Sequence, residues 1–145
     1  MKRPALLDVN VLVALFDPDH VHHEAAHRWF ADHRASGWAT SPLTENGAVR
    51  VLSNPAYSGT AQRPADIARR VAAFRASGEH VFWADDISLC DERRFRLGVG
   101  HRQLTDVYLL GLAVQHEGAL ATFDRSIPRK AVHGAHAEHL VVLDA

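Results

Sequence analysis

The sequence predicts an α/β fold with a central, mostly parallel sheet of about five strands. Short apolar runs such as Ala5-Leu6-Leu7 and Ala119-Leu120-Ala121-Thr122 read as buried strands. Longer segments with helical apolar spacing separate them, and strands alternating with helices imply a parallel sheet covered on both faces. The chain has 145 residues, 47% of them apolar, which suits one compact domain over residues 1–145 with a real core. It contains no repeat, low-complexity stretch or linker.

The elements follow in order. Residues 4–7 form the first strand, ended by Asp8, and residues 9–16 form a short helix closed by Pro18. Residues 22–35 place Ala25, Ala26, Trp29 and Phe30 at helical spacing, and Gly37 breaks that helix. Trp38-Ala39-Thr40 is the second strand. Ser41-Pro42 then starts a helix, serine as cap and proline at the first helical position, which runs to Leu52 and stops near Asn54-Pro55. Residues 56–62 read as loop, and residues 64–76 as a helix with Ile67, Val71 and Phe74 on one face. Residues 80–84 are the third strand. Residues 88–97 read as helical, ended by Gly98 and Gly100. Thr105 is expected to cap a helix over residues 106–116, terminated at Gly118. Residues 119–122 and 139–143 supply strands four and five.

Composition narrows the function. The net charge of −1 gives no global attraction to nucleic acid, although every basic residue except Lys2 and Lys130 is arginine, the side chain suited to bidentate phosphate contacts. The single cysteine, Cys90, permits no intrachain disulfide. No apolar run approaches the roughly 20 residues that span a bilayer, and Asp8 and Asn10 interrupt the N-terminal apolar stretch. The expectation is a cytoplasmic protein with no membrane partner.

Four acids carry the chemistry. Asp8 and Asp124 follow strands, and Glu45 and Asp106 lie in the first turns of helices on the same sheet edge. Ligands of open α/β sheets bind outside the carboxyl ends of the strands. Singly, each acid has an ordinary explanation: Asp8 as a helix cap, Glu45 and Asp106 as charges facing helix N-termini, Asp124 as the start of an Asx-turn to Ser126. Together, converging carboxylates repel unless a cation sits between them, and oxygen donors suit Mg²⁺ and Mn²⁺.

Asp8-Val9-Asn10-Val11-Leu12, Ser41-Pro42-Leu43-Thr44-Glu45, Thr105-Asp106-Val107-Tyr108-Leu109 and Ala121-Thr122-Phe123-Asp124 resemble, in order, the motifs of PIN-domain ribonucleases, with the nearest match to VapC-type toxins. The resemblance implies a three-layer α/β/α fold and Mg²⁺-dependent endonucleolytic cleavage of RNA, tRNA or rRNA among the targets. It also implies a homodimer or toxin–antitoxin hetero-oligomer with a VapB-type antitoxin. By position, Asp8, Glu45, Asp106 and Asp124 match the family's acidic quartet. On that basis Asp8, Asp106 and Asp124 are expected to hold Mg²⁺, with Mn²⁺ as a substitute, and Glu45 to contact the metal or orient a water. Asn10 and Thr122 are expected to orient the acids. Arg125 and Tyr57 are expected to meet RNA.

Other readings compete. His23-Glu24-Ala25-Ala26-His27 is a literal H-E-x-x-H, which in a zinc peptidase would supply two ligands and a base, but no further Gly and His follow it. Otherwise this segment is a solvated helix start. His20 and His22 are placed near the mouth of the site, facing RNA. Arg63, Arg69, Arg70 and Arg75, and again Arg93, Arg94, Arg96 and Arg102, form either phosphate-binding faces or charged helix surfaces, and the second is favoured. Trp29, Trp38, Phe74 and Trp83 read as core or dimer contacts. A non-toxin PIN nuclease of RNA processing and an idle binding module are the remaining alternatives; four clustered acids argue against the latter.

Overall fold

Strands of three or four residues can anchor this chain because the three central ones bury both faces. The computed structural model describes residues 3–58 and 62–144. Its strands are β1 (Ala5–Leu7), β2 (Trp38–Thr40), β3 (His80–Phe82), β4 (Ala119–Thr122) and β5 (Leu140–Val142). They pair wholly in parallel, in the order β3-β2-β1-β4-β5. Side chains alternate across the sheet. Leu6, Ala39 and Leu120 face one layer, whose main helix is α6 (Leu104–Gln115). Ala5, Leu7, Trp38 and Ala121 face the other, built from α1 (Val9–Phe16), α2 (His23–His33) and α3 (Pro42–Leu52). A short turn of helix, α4 (Pro55–Ser58), leads towards α5 (Pro64–Arg75). Ile67 and Val71 of α5 pack with Val13 and Leu52. The result is the α/β/α arrangement that the sequence predicts.

Strand order creates the crevice. The chain builds β1, β2 and β3 outward in one direction, then returns to place β4 on the other side of β1. Such a reversal leaves a gap at the carboxyl ends of the two central strands. Leu7 pairs with Ala121, so the residues that follow, Asp8 and Thr122, emerge side by side, and the Asp8 amide donates to the Ala121 carbonyl at 2.9 Å.

Two glycines permit close approaches. A Cβ on Gly47 would stand 2.6 Å from Val9 Cγ2, so glycine lets α3 pack directly on α1 beside the crevice. Gly118 was expected to end α6 through its conformation, but the left-handed residue is Glu117, with φ of 57°. A side chain at Gly118 would instead strike the Pro4 carbonyl and the Trp83 ring.

Three local expectations are corrected. Residues 88–97 are not helical. Ser88 Oγ accepts from the Cys90 amide and Asp91 Oδ1 from the Arg93 amide, both at 3.0 Å, so side chains take backbone donors a helix would use. Phe95 is pulled into the core against α6 and pairs with Val132. Next, α6 starts at Leu104, with Gln103 in the cap position, so Thr105 lies within the first turn and does not cap it. Finally, residues 56–58 of the expected loop belong to α4, while 59–61 lie outside the described residues.

Candidate active site

Asp8 is the fixed point of the crevice. It caps α1, with Oδ1 accepting from the Val9 amide at 2.7 Å, and only 4% of the residue is exposed. Its other oxygen, Oδ2, accepts from Thr122 Oγ1 at 2.7 Å. Thr122 is wholly buried, and its hydroxyl oxygen accepts in turn from Asn10 Nδ2 at 3.2 Å and the Asp124 amide at 3.0 Å. Asn10 Oδ1 accepts from the Phe123 amide at 3.3 Å. One threonine thus binds the ends of β1 and β4, the first turn of α1 and the loop carrying Asp124.

Asp106 reaches the crevice from the first turn of α6. Burial, the charge of Asp8 and contact with the Asp124 carboxyl push its pKa up to about 7. Asp124 moves the opposite way, held below the usual range chiefly by the side chain and amide of Ser126, which donate to Oδ1 at 2.7 and 2.8 Å. Interaction between the two carboxyls raises Asp106 and lowers Asp124, which favours the proton on Asp106. Burial also raises the pKa of Asp8, while its bonds from Thr122 and Val9 oppose that rise.

The three aspartates therefore act on one another, while Glu45 is held by partners of its own. Glu45 Oε2 accepts from Thr40 Oγ1 at 2.6 Å and pairs with Arg75 at 3.2 Å. Thr40, wholly buried, also lies 2.7 Å from His80 Nε2. This Thr40–Glu45–His80–Arg75 network at the ends of β2 and β3 has no signal in the linear sequence, since its members meet only through strand pairing.

A cleft of about 350 Å³ opens over the aspartates. Its apolar floor is Val9, Val13 and Val51, and Asp8, Asn10, Asp106 and His20 line it. A larger cleft, about 580 Å³, lies beside the segment around Phe95, with Glu92 as its single carboxylate.

The donor set fits a hard divalent cation: carboxylates with hydroxyl and amide oxygens behind them, and a carboxyl whose pKa is raised by burial first and by the neighbouring acids second. As the side chains are turned, no three His, Cys, Asp or Glu residues among the described ones close on a single ion position. Asp8 faces Thr122 and Asp124 faces Ser126.

The other expected contacts sort themselves by geometry. Arg125 is exposed on the rim, 3.7 Å from Asp144. Tyr57 donates to Asp17 Oδ2 at 2.7 Å, so its hydroxyl is already engaged; burial and then this bond push its own pKa up to about 12. Arg63 and Arg69 pair with Asp66, Arg70 donates to the Phe16 carbonyl, and Arg75 holds Glu45. These four arginines are committed within the protein. Trp38 and Trp83 are buried in the core.

The H-E-x-x-H histidines are helix caps. His23 Nδ1 donates to the Ala14 carbonyl at 2.7 Å and His27 Nε2 to the Leu15 carbonyl at 2.8 Å. Both carbonyls belong to the last turn of α1, whose acceptors have no partner within the helix. Glu24 is exposed. His27→Ala is expected to cost about 1 kcal/mol of stability, read in a urea melt, and added Zn²⁺ is expected to shift the melts of wild type and variant alike.

The PIN domain family profile matches residues 5–133. Ribonuclease VapC44 of Mycobacterium tuberculosis (strain ATCC 25618 / H37Rv) is 44% identical over 145 residues, covering 96% of this chain and 99% of the relative. Ribonuclease VapC39 of that strain is 44% identical over 132 residues, or 90% and 95% of the two chains. Ribonuclease VapC38 is 49% identical over 123 residues, 85% and 86% of the two.

Proposed function

The chain belongs to the PIN domain family as a VapC-type ribonuclease, and from that premise we propose that it is a Mg²⁺-dependent endoribonuclease, the toxin of a toxin–antitoxin pair. Residues 1–145 act as one nuclease domain in the cytoplasm, with a VapB-type antitoxin as partner and a homodimer or toxin–antitoxin hetero-oligomer as the assembled form. No described helix is long and apolar enough to cross a membrane. Folded tRNA or rRNA is the substrate class, with Mn²⁺ able to replace Mg²⁺. The observation that carries the reading is the nearness of Asp8, Asp106 and Asp124 to one another where the strand order reverses.

In this mechanism Asp8, Asp106 and Asp124 would hold the cation, which when bound would supply activation of a water and relief of charge on the phosphoryl oxygens. Asp8 is oriented in advance, because the Val9 amide and the Thr122 hydroxyl occupy one lone pair on each oxygen. Asn10 and Thr122 keep the β4 end in register with α1. Asp106 must release its proton for the site to charge fully. Glu45 contributes as a fourth acid if it leaves Arg75, and until then Thr40 and Arg75 hold it aside. Water adds to phosphorus, the bond to the 3′ oxygen breaks, and the products carry a 5′-phosphate and a 3′-hydroxyl. Arg125 meets RNA at the rim, and Tyr57 does so through its ring.

The test is incubation of pure, antitoxin-free protein with total tRNA and rRNA in Mg²⁺ or Mn²⁺. Discrete fragments that EDTA abolishes support the reading. Intact RNA at high enzyme concentration, with every metal tried, counts against it.

A further inference from the structure

We propose that His20 is a substrate-positioning residue, its Nε2–H donating to a non-bridging oxygen of the phosphodiester seated against Asp8 and Asp106. The inference rests on the reading that this cleft takes RNA. His20 lies between α1 and α2 and lines the cleft together with the two aspartates. Its Nδ1 accepts from the His22 amide at 3.0 Å. An accepting Nδ1 carries no proton, so the proton of the ring is on Nε2, at the opposite edge. The loop's own backbone thus turns His20 into a donor with a fixed tautomer. A donor is what a phosphate oxygen needs in a cleft whose acidic lining is Asp8 and Asp106.

The loop is built to hold that ring still. The His20 amide donates to the Asp17 carbonyl and the His23 amide to the His20 carbonyl, each at 3.0 Å. Asp17 Oδ1 accepts from the Asp19 amide, and its Oδ2 accepts from Tyr57. His22 stacks on Phe123, centroids 4.7 Å apart and planes 22° apart, and Phe123 is the neighbour of Asp124. The position of the His20 ring is therefore tied to the same β4 end that carries the acids. His23 and His27 spend ring nitrogens on the α1 carbonyls, whereas His20 uses only its acceptor edge among the described residues.

The experiment measures RNA binding apart from cleavage. Asp8→Asn protein and its double variants with His20→Ala, His20→Asn and His20→Gln are titrated with fluorescently labelled bulk tRNA in EDTA at low ionic strength. A glutamine amide places its N–H near the position of Nε2, and an asparagine amide does not. His20→Ala and His20→Asn are expected to weaken binding about tenfold, and His20→Gln to stay within about threefold. All should keep the Asp8→Asn melting temperature. In the cleavage-competent background the His20→Ala loss should appear in KM more than in kcat. Equal affinity of the His20→Ala and parent proteins overturns the proposal. So does a lowered melting temperature with no rescue by glutamine, which marks His20 as a structural residue of the loop. Because binding is read without metal or turnover, a wild-type protein that fails to cleave counts against the nuclease reading and leaves this comparison intact.

Discussion

Asp8→Asn is expected to lower RNA cleavage by about a thousandfold or more while the protein stays folded. On the proposed mechanism the substitution removes a charge that would fix the cation and keeps the shape. Its structural cost is set by Thr122, whose hydroxyl oxygen already accepts from Asn10 and the Asp124 amide. The one hydroxyl proton must therefore go to residue 8. An amide there has one oxygen for two donors, the Thr122 hydroxyl and the Val9 amide, so whichever way it turns a donor faces a donor. That mismatch costs about 1 kcal/mol. Removing a carboxyl whose pKa burial raises works in the other direction. The net change in melting temperature should be a few degrees at most, measured by circular dichroism beside the cleavage assay. A folded, pure variant that cuts like wild type would remove Asp8 from the site.

Why Asp8 was legible in the sequence, and Glu45 only in part, has one physical basis. A residue that directly follows a buried strand has its place fixed by that strand. Asp8 is in this class, and Asp124 stands two residues past the end of β4, a strand registered on β1 through Leu7 and Ala121. Asp106 was legible because the first turn of a helix packed on the sheet can point only towards the strand ends. Glu45 satisfies the same rule for its backbone, but its long side chain chooses between partners, and Thr40 and Arg75 win. Arg75 comes from a helix whose bounds were readable, but its contact with Glu45 depends on how that helix packs.

The same limit explains residues 88–97. Glu92, Arg93, Arg94 and Leu97 are adequate helix formers, and local preference favoured a helix. The competing term is tertiary: Phe95 fills the space beside Gly111 on α6, where a side chain would collide with its ring. His23 and His27 show the converse. Their helical spacing was readable, but α1's unpaired carbonyls, which decide their role, come from another element.

Asp106→Asn is expected to abolish cleavage and yet stabilise the metal-free protein at neutral pH. The carboxyl of Asp106 titrates at about 7 in the folded protein against an ordinary value of 3.8. Between those values the folded state holds a proton that the unfolded state has lost, so stability falls as pH rises through this window. The stabilising contribution is fully present below the ordinary value and gone above about pH 7, where Asp106 must share the crevice with Asp8 and Asp124 as an anion. Asparagine carries no charge to be repelled. Asp106 is only partly buried, so solvent screening holds the gain near neutral pH to about 1 kcal/mol, seen as a rise in melting temperature in EDTA that vanishes towards pH 4. Mg²⁺ should reverse the ranking. Added at pH 8 it stabilises wild type by compensating the three charges, and it should do little for the variant. Since the cation must displace the shared proton, the affinity of wild type for Mg²⁺ should weaken as pH falls below about 7, approaching tenfold per pH unit. A metal-free melting temperature that is lower in Asp106→Asn at pH 8, or a Mg²⁺ response equal in the two proteins, would show that Asp106 is not under charge strain from its neighbours.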